Sequence, residues 1–244
     1  EEKQKWKNFI FQKLNSPDRM VVFYSLLILE YWAAKGDLEN LKPFIHSSDE
    51  DFRDQMVSIL VRIPGPLSQK YLFQLTMDSS RKIRDRAWMA LGKKKVLEAI
   101  SPLKEIVKNP KSPLRLDALE ILCHYHHPSL ISFFEEVLLD PQGEYRSLPF
   151  QGGYIMEKEF KFLALKGLEA FPNYPTSSIK QILVYPGSAK VRKKALEILW
   201  KREGTPKTAQ IIENLRTHSS PTVRRYGKEL CQVLQNLEKK KKKN

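Results

Sequence analysis

The sequence predicts an all-α protein built from seven copies of one helical hairpin. One apolar position recurs along the chain at spacings of 31, 31, 31, 46, 31 and 32 residues. A mostly small residue follows this position at offset four, and a large apolar residue, usually Leu, follows at offset eight. These three offsets share one side of an α-helix, which therefore has a buried face. No strand-like alternation of useful length accompanies them.

The second helix of each hairpin carries this buried face. Offset zero holds Val21, Phe52, Ile83, Leu114, Phe160, Val191 and Val223. Offset four holds Ser25, Met56, Ala87, Ala118, Ala164, Ala195 and Gly227. Offset eight holds Leu29, Leu60, Leu91, Leu122, Leu168, Leu199 and Cys231. Three columns in register over seven copies are not chance, and small residues at offset four would let a neighbouring helix approach closely.

The first helix of each hairpin lies between these faces, with apolar residues at offsets 20 and 24. They are Leu41 and Ile45, Leu72 and Thr76, Leu103 and Val107, Phe134 and Leu138, Ile179 and Leu183 (slipped by one), and Ile211 and Leu215. Counting back from Val21 places the first helix at 4–14. Pro, Gly, Ser and Asn residues stand where turns are needed, at 16–17, 64–66, 109–110, 172–175, 186–187 and 220–221. We expect about fourteen helices in a single array over residues 1–238, followed by a lysine-rich tail at 239–244.

The repeating unit is a pair of helices of about 31 residues, and its second helix opens with the pattern apolar-Arg-x-x-small-x-x-x-Leu. This unit resembles the short bacterial HEAT repeats, also called HEAT-like repeats of the bilin-lyase type. The copy with Val191, Arg192, Ala195 and Leu199 shows the motif most clearly. The resemblance covers nearly the whole chain. It implies a right-handed α-α superhelix, or solenoid, whose second helices line the concave face. Each pair has too small a core to stand alone and must stack on its neighbours. The resemblance specifies architecture and says little about activity, because such arrays mostly serve as binding scaffolds.

The positive charge is unevenly distributed. The net charge is +14; residues 1–150 hold 22 basic and 20 acidic residues, whereas residues 151–244 hold 20 basic and 8 acidic ones. Five of the bases form the run Lys239–Lys243, which is typical of a solvated tail and would also add affinity for nucleic acid or anionic lipid. Two further clusters suit either phosphate contact or a solvated face. They are Arg81, Lys82, Arg84, Arg86 and 93–95, and Lys190, Arg192, Lys193, Lys194, Lys201 and Arg202.

A basic residue also recurs at offset one, except in the first copy. It is Arg53, Arg84, Arg115, Lys161, Arg192 or Arg224. This column is either an anion-binding ladder or a part of the repeat that bonds carbonyls or acids between helices. Its recurrence in nearly every copy favours the second interpretation.

The 46-residue spacing contains an insertion of 15 residues, Asp140–Tyr154, which is rich in Gly, Pro and aromatic residues. We expect a loop between two helices. Long loops of this kind often carry recognition, although a tolerated surface loop is the alternative. Tyr145, Arg146, Phe150 and Tyr154 are its candidate partner-binding residues.

Offsets two, six and nine sample the presumed concave surface. Near the end of the chain they are Lys193, Glu197 and Trp200, and the row as a whole mixes both signs of charge, which argues against a dedicated duplex-binding groove. Lys193 and Trp200 are therefore further partner-binding candidates. In the first copy Phe23 and Leu27 make this row apolar, either as a partner patch or as a surface that a preceding segment covers.

No catalytic, metal or cofactor site is predicted. The resemblance extends to HEAT-like alkylpurine DNA glycosylases, but around Trp200 only Glu197 and Glu169 are acidic and no second aromatic residue with an Asp is found. HEAT-repeat hydroxylases use His-Glu dipeptides, which this sequence lacks, and no residue argues for a bilin lyase.

The cluster His124–His127 suits helix capping before Pro128 better than metal binding. Cys123 and Cys231 are three repeats apart, too far for a disulfide.

The expected function is a non-catalytic scaffold that binds a protein partner through the concave face and the 140–154 loop. The alternative is a nucleic-acid-binding protein, possibly a glycosylase, that uses the basic C-terminal half.

No apolar run approaches the roughly 20 residues of a membrane span. The first residues show neither a signal peptide nor an initiator Met, so the start is taken as trimmed. A cytoplasmic location is favoured, export remains the alternative, and the sequence does not indicate an oligomeric state.

Overall fold

The structure is a computed structural model that describes residues 2–145, 148–150, 153–155 and 157–241, with the two three-residue segments described as backbone. Thirteen α-helices lie in these ranges: α1 Glu2–Lys13, α2 Arg19–Trp32, α3 Leu38–Leu41, α4 Glu50–Arg62, α5 Pro66–Leu75, α6 Arg81–Lys93, α7 Ile100–Lys108, α8 Arg115–Leu122, α9 Ile131–Leu139, α10 Glu157–Glu169, α11 Ser177–Gln181, α12 Ala189–Arg216 and α13 Pro221–Lys241. Short 3-10 segments lie at Lys35–Asp37, Lys42–His46, Leu97–Ala99, Pro128–Leu130 and Ile182–Val184.

The longest helix, α12, serves two successive hairpins. Gly204 interrupts it with φ +77° and ψ 173°, a conformation that is essentially reserved for glycine. Pro206 follows, and its missing N–H prevents one helical hydrogen bond. When α12 is counted as two helices that meet at Gly204, the described chain contains fourteen helices in seven pairs. The prediction of an all-α repeat fold is confirmed.

The chain forms two compact units that divide after Ile106. The first unit contains α1 to α6 and most of α7. The second contains α8 to α13 and the insertion. Each unit has its own core of stacked hairpins.

The predicted columns form these cores. Every residue at offset four is buried, and every residue at offset eight is buried except Cys231, which is half-buried. At offset zero Val21, Leu114 and Val223 are half-buried instead of buried. In α2 the core position shifts by one residue, to Val22, which is 5% exposed.

The insertion differs from the predicted loop because it contains two strands. β1 Leu148–Phe150 and β2 Gly153–Ile155 pair antiparallel, with Leu148 opposite Ile155, Pro149 opposite Tyr154 and Phe150 opposite Gly153. Each strand has three residues, too few for an alternating pattern to be recognised in the sequence. The hairpin lies between α9 and α10, where the insertion was predicted.

The lysine-rich end continues a helix as far as the structure describes it. Lys239, Lys240 and Lys241 form the last turn of α13 and are exposed. Within the described ranges, no helix combines the length and the apolar character that crossing a bilayer would require.

Candidate functional site: the second-helix face and the insertion of the C-terminal unit

The basic column at offset one binds the protein's own backbone. Each of these side chains donates to one or two carbonyl oxygens at or just past the end of the first helix of its own pair: Arg53 to Ser47 and Ser48, Arg84 to Asp78 and Ser79, Arg115 to Val107, Lys161 to Leu138, Arg192 to Tyr185, and Arg224 to His218 and Ser219. Such carbonyls have no partner within their helix. The base therefore caps the first helix and fixes the turn, which confirms the structural interpretation of the column.

Part of the first basic cluster is bonded to α4 and the turn that follows it. Lys82 lies 2.9 Å from the Asp54 carboxylate, and Arg86 pairs with the same carboxylate and donates to the Ser58 hydroxyl at 2.9 Å. Lys94 donates to the carbonyl of Ile63 at 2.6 Å. These bases stabilise contacts between neighbouring pairs.

Part of the second basic cluster is likewise bonded within the protein. Lys194 and Lys201 both pair with Glu169, at 2.5 and 2.6 Å. Burial alone would raise the pKa of Glu169, but hydrogen bonds from the two lysines lower it. Arg202 donates to three backbone carbonyls at the end of α10 and beyond, those of Leu168, Phe171 and Tyr174. These pairings explain much of the basic cluster without an external phosphate.

A buried arginine holds the root of the insertion. Arg115 is 1% exposed, and its Nε donates to the Val107 carbonyl at 2.6 Å while Nη2 donates to the Glu144 carbonyl at 3.0 Å. Its guanidinium carbon lies 4.8 Å from the centre of the Phe160 ring. Burial lowers the pKa of Arg115. One side chain thus connects α7, the insertion and α10.

Tyr145 is part of the same core, which corrects its assignment as a partner contact. Its side chain is 1% exposed, its hydroxyl donates to the Glu136 carboxylate at 3.0 Å, and its ring centre lies 5.6 Å from that of Phe160. Burial, and secondarily the Glu136 charge, raises the pKa of Tyr145. A ring buried in this way anchors the insertion and cannot meet a partner.

The first residues of the insertion form a capped turn. Asp140 has φ +46°, and its carboxylate accepts hydrogen bonds from the amides of Glu144 at 2.7 Å and Tyr145 at 3.3 Å. Arg146 and the side chains of Phe150 and Tyr154 lie outside the described residues. Their role as partner contacts stays a prediction.

Helices α8, α10 and α12 enclose a cleft of about 500 Å³, called here the C-terminal cleft. Its lining residues are Leu116, Asp117, Glu120, Lys158, Glu159, Phe162, Leu163, Ser188, Lys190 and Val191. Leu116 and Phe162 occupy offset two of successive pairs, the position expected on the second-helix face. Lys190 lies with its Nζ 4.2 Å from the centre of the Phe162 ring. The cleft therefore combines an apolar floor with charged residues of both signs.

Sequence analysis missed Phe162 as a site residue and named Lys190 only as a member of the second basic cluster. Phe162 stands two residues after the Phe160 anchor, so the register could have identified it. Lys190 stands one residue before Val191, outside the offsets that were assigned to the surface. The sequence could not show how closely α10, which carries Phe162, lies to α12, which carries Lys190.

Lys193 and Trp200 lie two turns apart on the same side of α12. Lys193 is exposed and forms no ion pair or hydrogen bond with any described residue; it lies one turn from the cleft residue Lys190. Trp200 is half-buried; its Nε1 donates to the Thr205 hydroxyl at 3.0 Å, and the Lys241 Nζ lies 5.8 Å from the centre of its ring. Trp200 is not among the residues that line the cleft.

Cys123 was expected on the surface because it stands at offset nine, but it is buried. It is 6% exposed, and its thiol donates to the Leu163 carbonyl at 3.1 Å. Burial raises the pKa of the thiol to about 12, so the reactive thiolate is scarce at neutral pH. Cys123 packs α8 against α10.

The histidine cluster has a capping contact. His127 Nδ1 accepts from the Ser129 amide at 3.3 Å and caps the 3-10 segment Pro128–Leu130, not the end of α8. Among the residues that the structure describes, no three His, Cys, Asp or Glu side chains are grouped so that they could hold a metal ion.

Known proteins resemble this chain in structure. No protein-family model matches the sequence, and no curated protein matches it. An engineered protein has a TM-score of 0.52 at 15% identity, over 94% of this chain and 68% of its own. The Escherichia coli protein YibA has a TM-score of 0.50 at 16% identity, over 93% of this chain and 84% of its own.

An archaeal HEAT-like repeats protein from Thermococcus onnurineus NA1 has a TM-score of 0.50 at 15% identity and covers 94% of this chain and 97% of its own. At such identities the likeness concerns the fold. Together with the seven hairpins and their buried columns, it confirms the resemblance that the repeat motif indicated. The chain has the fold of the HEAT-like repeat proteins.

Proposed function

We propose that this chain is a non-catalytic scaffold that binds a protein partner through the C-terminal cleft, the neighbouring second-helix surface and the 140–154 loop. The observation that carries the proposal is the composition of the cleft. Leu116, Phe162 and Leu163 give it an apolar floor, and charged side chains surround them. Protein interfaces have this arrangement, in which a central apolar patch is enclosed by a polar rim.

The rim charges suit a polypeptide better than a polyanion. Asp117, Glu120 and Glu159 contribute acids, and Lys158 and Lys190 contribute bases. Glu120 also pairs with Lys166 at 3.6 Å. Because acids outnumber bases among the lining residues, a phosphate chain would meet repulsion there. Lys82, Arg86, Lys194 and Lys201 of the basic clusters are already paired with acids of the chain, which weakens the nucleic-acid alternative.

The insertion and the cleft are joined along the chain. The insertion leads directly into α10, whose first turn contains the cleft residues Lys158 and Glu159. At its other end the insertion is held in the core by Arg115 and Tyr145. A loop with such a fixed root would present its β-hairpin at little cost in conformational entropy, which favours binding.

The non-catalytic part of the proposal is supported by the hydroxyl in the cleft. Ser188 is the N-cap of α12, where its Oγ accepts from the Val191 amide at 3.4 Å. The hydroxyl thus has a structural task.

Affinity purification from the native host, followed by mass spectrometry with and without nuclease treatment, tests the proposal. A specific protein partner should remain after nuclease treatment. Its recovery should fall at least about tenfold, the equivalent of about 1.4 kcal/mol, with Phe162→Ala and with Lys158→Glu. The control is Lys70→Glu, a lysine in the other unit that is also exposed.

The loop is tested separately with Phe150→Ala and Tyr154→Ala combined, leaving the core residue Tyr145 intact. Folding of each variant is checked by circular dichroism. Partner recovery that is unchanged by both the cleft and the loop variants contradicts the proposal. Recovery that nuclease abolishes would transfer support to the nucleic-acid alternative.

A further inference from the structure

The C-terminal cleft carries opposite charges on its two outer helices. Among the lining residues, α8 contributes two acids, Asp117 and Glu120, and no base. α12 contributes one base, Lys190, and no acid. α10 packs against both of these helices and contributes one charge of each sign, Lys158 and Glu159, so it adds no net charge. The cleft therefore has an acidic wall on α8 and a basic wall on α12.

The charges of the two walls are available to a ligand. Asp117 and Lys190 are exposed, and neither forms an ion pair with any residue that the structure describes. The contact between the Lys190 Nζ and the Phe162 ring holds the ammonium group beside the apolar floor but does not neutralise it. Glu120 is exposed and pairs with Lys166 at 3.6 Å, so only this acid of the wall is partly compensated.

The basic wall continues beyond the lining residues. Lys193 stands three residues after Lys190, on the same side of α12, and is exposed. Both lysines lie in the first turns of α12, where the helix dipole adds a positive potential. Glu197 stands a further turn along and does not line the cleft. A carboxylate that lies beside the start of α12 thus meets two ammonium groups.

The acidic wall has no base of its own that faces the cleft. The base at offset one of α8 is Arg115, which is 1% exposed and donates to the carbonyls of Val107 and Glu144 in the core. Its positive charge is therefore directed away from Asp117 and Glu120. A basic group beside α8 meets two carboxylates.

The floor between the two walls is apolar. Leu116, Phe162 and Leu163 are half-buried, and Val191 is buried. An aromatic ring that is left partly exposed between charged walls gains most from contact with another large apolar side chain. The floor thus selects for size and apolar character, and the walls select for charge.

The separation of the walls determines the spacing of the groups that they bind. Neighbouring helices pack about 8–10 Å apart, so α8 and α12, with α10 between them, lie about 16–20 Å apart. An extended chain advances about 3.3 Å per residue and crosses this distance in about five or six residues. A base and an acid about four to six positions apart can therefore reach both walls when their side chains are long.

We propose that the C-terminal cleft binds a polypeptide segment in which a large apolar residue stands between a basic residue and an acidic residue. The base lies against Asp117 and Glu120, the apolar side chain covers Phe162, and the acid lies against Lys190 and Lys193. This inference rests on the proposed function and adds the chemistry of the partner. Complementary charges fix the orientation of a ligand more than they raise its affinity, so the segment binds with one fixed orientation of its charges.

Segments with a single sign of charge fit the cleft less well. An acidic segment or a phosphate chain would gain at Lys190 but would be repelled at Asp117, and a basic segment would meet the reverse problem. Like charges that face each other across an interface act against binding. The two walls therefore favour a segment that carries both signs.

Selection from a random peptide library displayed on phage tests this inference on the complete 244-residue chain. Peptides of about twelve residues are roughly twice as long as the span of the cleft. The enriched sequences should share a large apolar residue with a base on one side and an acid on the other. A synthetic peptide of this consensus should bind at least about tenfold more tightly than the same peptide with its acid replaced by Lys, as measured by fluorescence anisotropy.

Reversal of the wall charges should change the selected sequences. With Lys190→Glu combined with Lys193→Glu, the selected acid should be replaced by a base, and the order of affinity of the two synthetic peptides should reverse. With Asp117→Lys, the base should be lost from the consensus. All three side chains are exposed, so the variants should keep the circular dichroism of the parent.

Lys228→Glu is the matched control, because Lys228 is exposed on α13 and does not line the cleft; it should select the wild-type consensus. A consensus that lacks either charge, or that is unchanged by both reversals, overturns this inference. If Phe162→Ala still abolishes the binding of that consensus, the proposed function stands without it. A chain that enriches no peptide overturns both this inference and the role of the cleft in the proposed function.

Discussion

At the scale of single residues, the same basic column serves both helix capping and the anchoring of the insertion. Arg84 and Arg224 donate only to the turn of their own hairpin, whereas Arg53 and Arg192 also pair with Asp78 and Glu229 of the next hairpin. Arg115 also reaches the Glu144 carbonyl, which lies 29 positions further along the chain. Arg115 therefore both caps the first helix of its own pair and holds the insertion, at the point where the repeat is interrupted.

Arg115→Met should lower the free energy of unfolding by about 2–4 kcal/mol. The substitution leaves the Val107 and Glu144 carbonyls without their charged donor, and each such hydrogen bond contributes about 1.5–3 kcal/mol. Relief of a buried charge offsets part of this loss. Urea denaturation measures the change, and faster amide exchange at 140–145 would show that the root of the insertion has loosened.

The control is Arg81→Met, because the Arg81 side chain is 63% exposed and forms only an i,i+4 pair with Asp85. It should change the free energy of unfolding by less than about 0.5 kcal/mol. An Arg115→Met protein as stable as the wild type would mean that burying the guanidinium costs as much as its hydrogen bonds contribute.

Asp78→Asn should remove a contribution to stability that depends on pH. The Asp78 side chain is 6% exposed and pairs with Arg53 at 2.7 Å. Burial alone would raise the pKa of Asp78, but the hydrogen bonds from Arg53 and the Ser80 amide lower it. A carboxylate with a lower pKa in the folded state stabilises fully above its unfolded pKa of about 4, and this stabilisation is lost as the pH falls through the folded value.

The variant should therefore be about 2 kcal/mol less stable than the wild type at neutral pH. The difference should shrink steadily below about pH 4. Urea denaturation at several pH values measures it, with the exposed Glu105→Gln as the control. A difference that is the same at pH 3 as at pH 7 would exclude the Asp78 charge as its cause.

Residues whose position follows from register were predictable, and residues of the insertion were not. Ala195 and Leu199 are buried as the columns required. Tyr145 has no counterpart in the other copies, so no column could show that its ring packs against Phe160. Its aromatic character suits either a core or an interface, and the fold alone decides between them.

At the scale of elements, the junction at Gly204 determines how the last two hairpins are connected. Most hairpins in the chain are separated by short irregular turns. Here a single residue with positive φ redirects the chain between two helices. The sixth and seventh pairs thus share one nearly continuous element.

Gly204→Ala should destabilise the protein by about 1–3 kcal/mol. A Cβ at this position would meet only the Pro206 ring, at 3.9 Å, so the cost arises from the backbone conformation and not from a clash. Thermal unfolding measures the loss. Gly36→Ala is the control, because a Cβ there meets nothing within 4 Å; an equal loss in both variants would contradict the explanation.

Elements with helical periodicity were predictable to within a few residues, while the insertion was predictable only in its position. The 15 surplus residues identified where the repeat is interrupted. They could not indicate β1 and β2, because a hairpin with three-residue strands depends on backbone pairing more than on side-chain pattern. The C-terminal cleft was equally hidden, since it depends on the separation of α8, α10 and α12.

At the scale of the whole molecule, charge and architecture give different information. The net charge of +14 predicts attraction to anions, but many of the clustered bases are bonded to acids or carbonyls of the chain itself. Architecture instead exposes the apolar floor of the C-terminal cleft between α8, α10 and α12, and the proposed binding of a protein partner rests on this feature.

Because every hairpin except the first carries the base that closes its own turn, a gene for such a chain can gain or lose one of these hairpins without leaving open carbonyls at the junction. The insertion shows that growth by other means is possible as well. Although 15 extra residues separate α9 from α10, Lys161 still donates to the Leu138 carbonyl at 2.6 Å. Selection could therefore vary the part of this insertion beyond its anchored root at 140–145 while the bond between Lys161 and Leu138 still closed the turn.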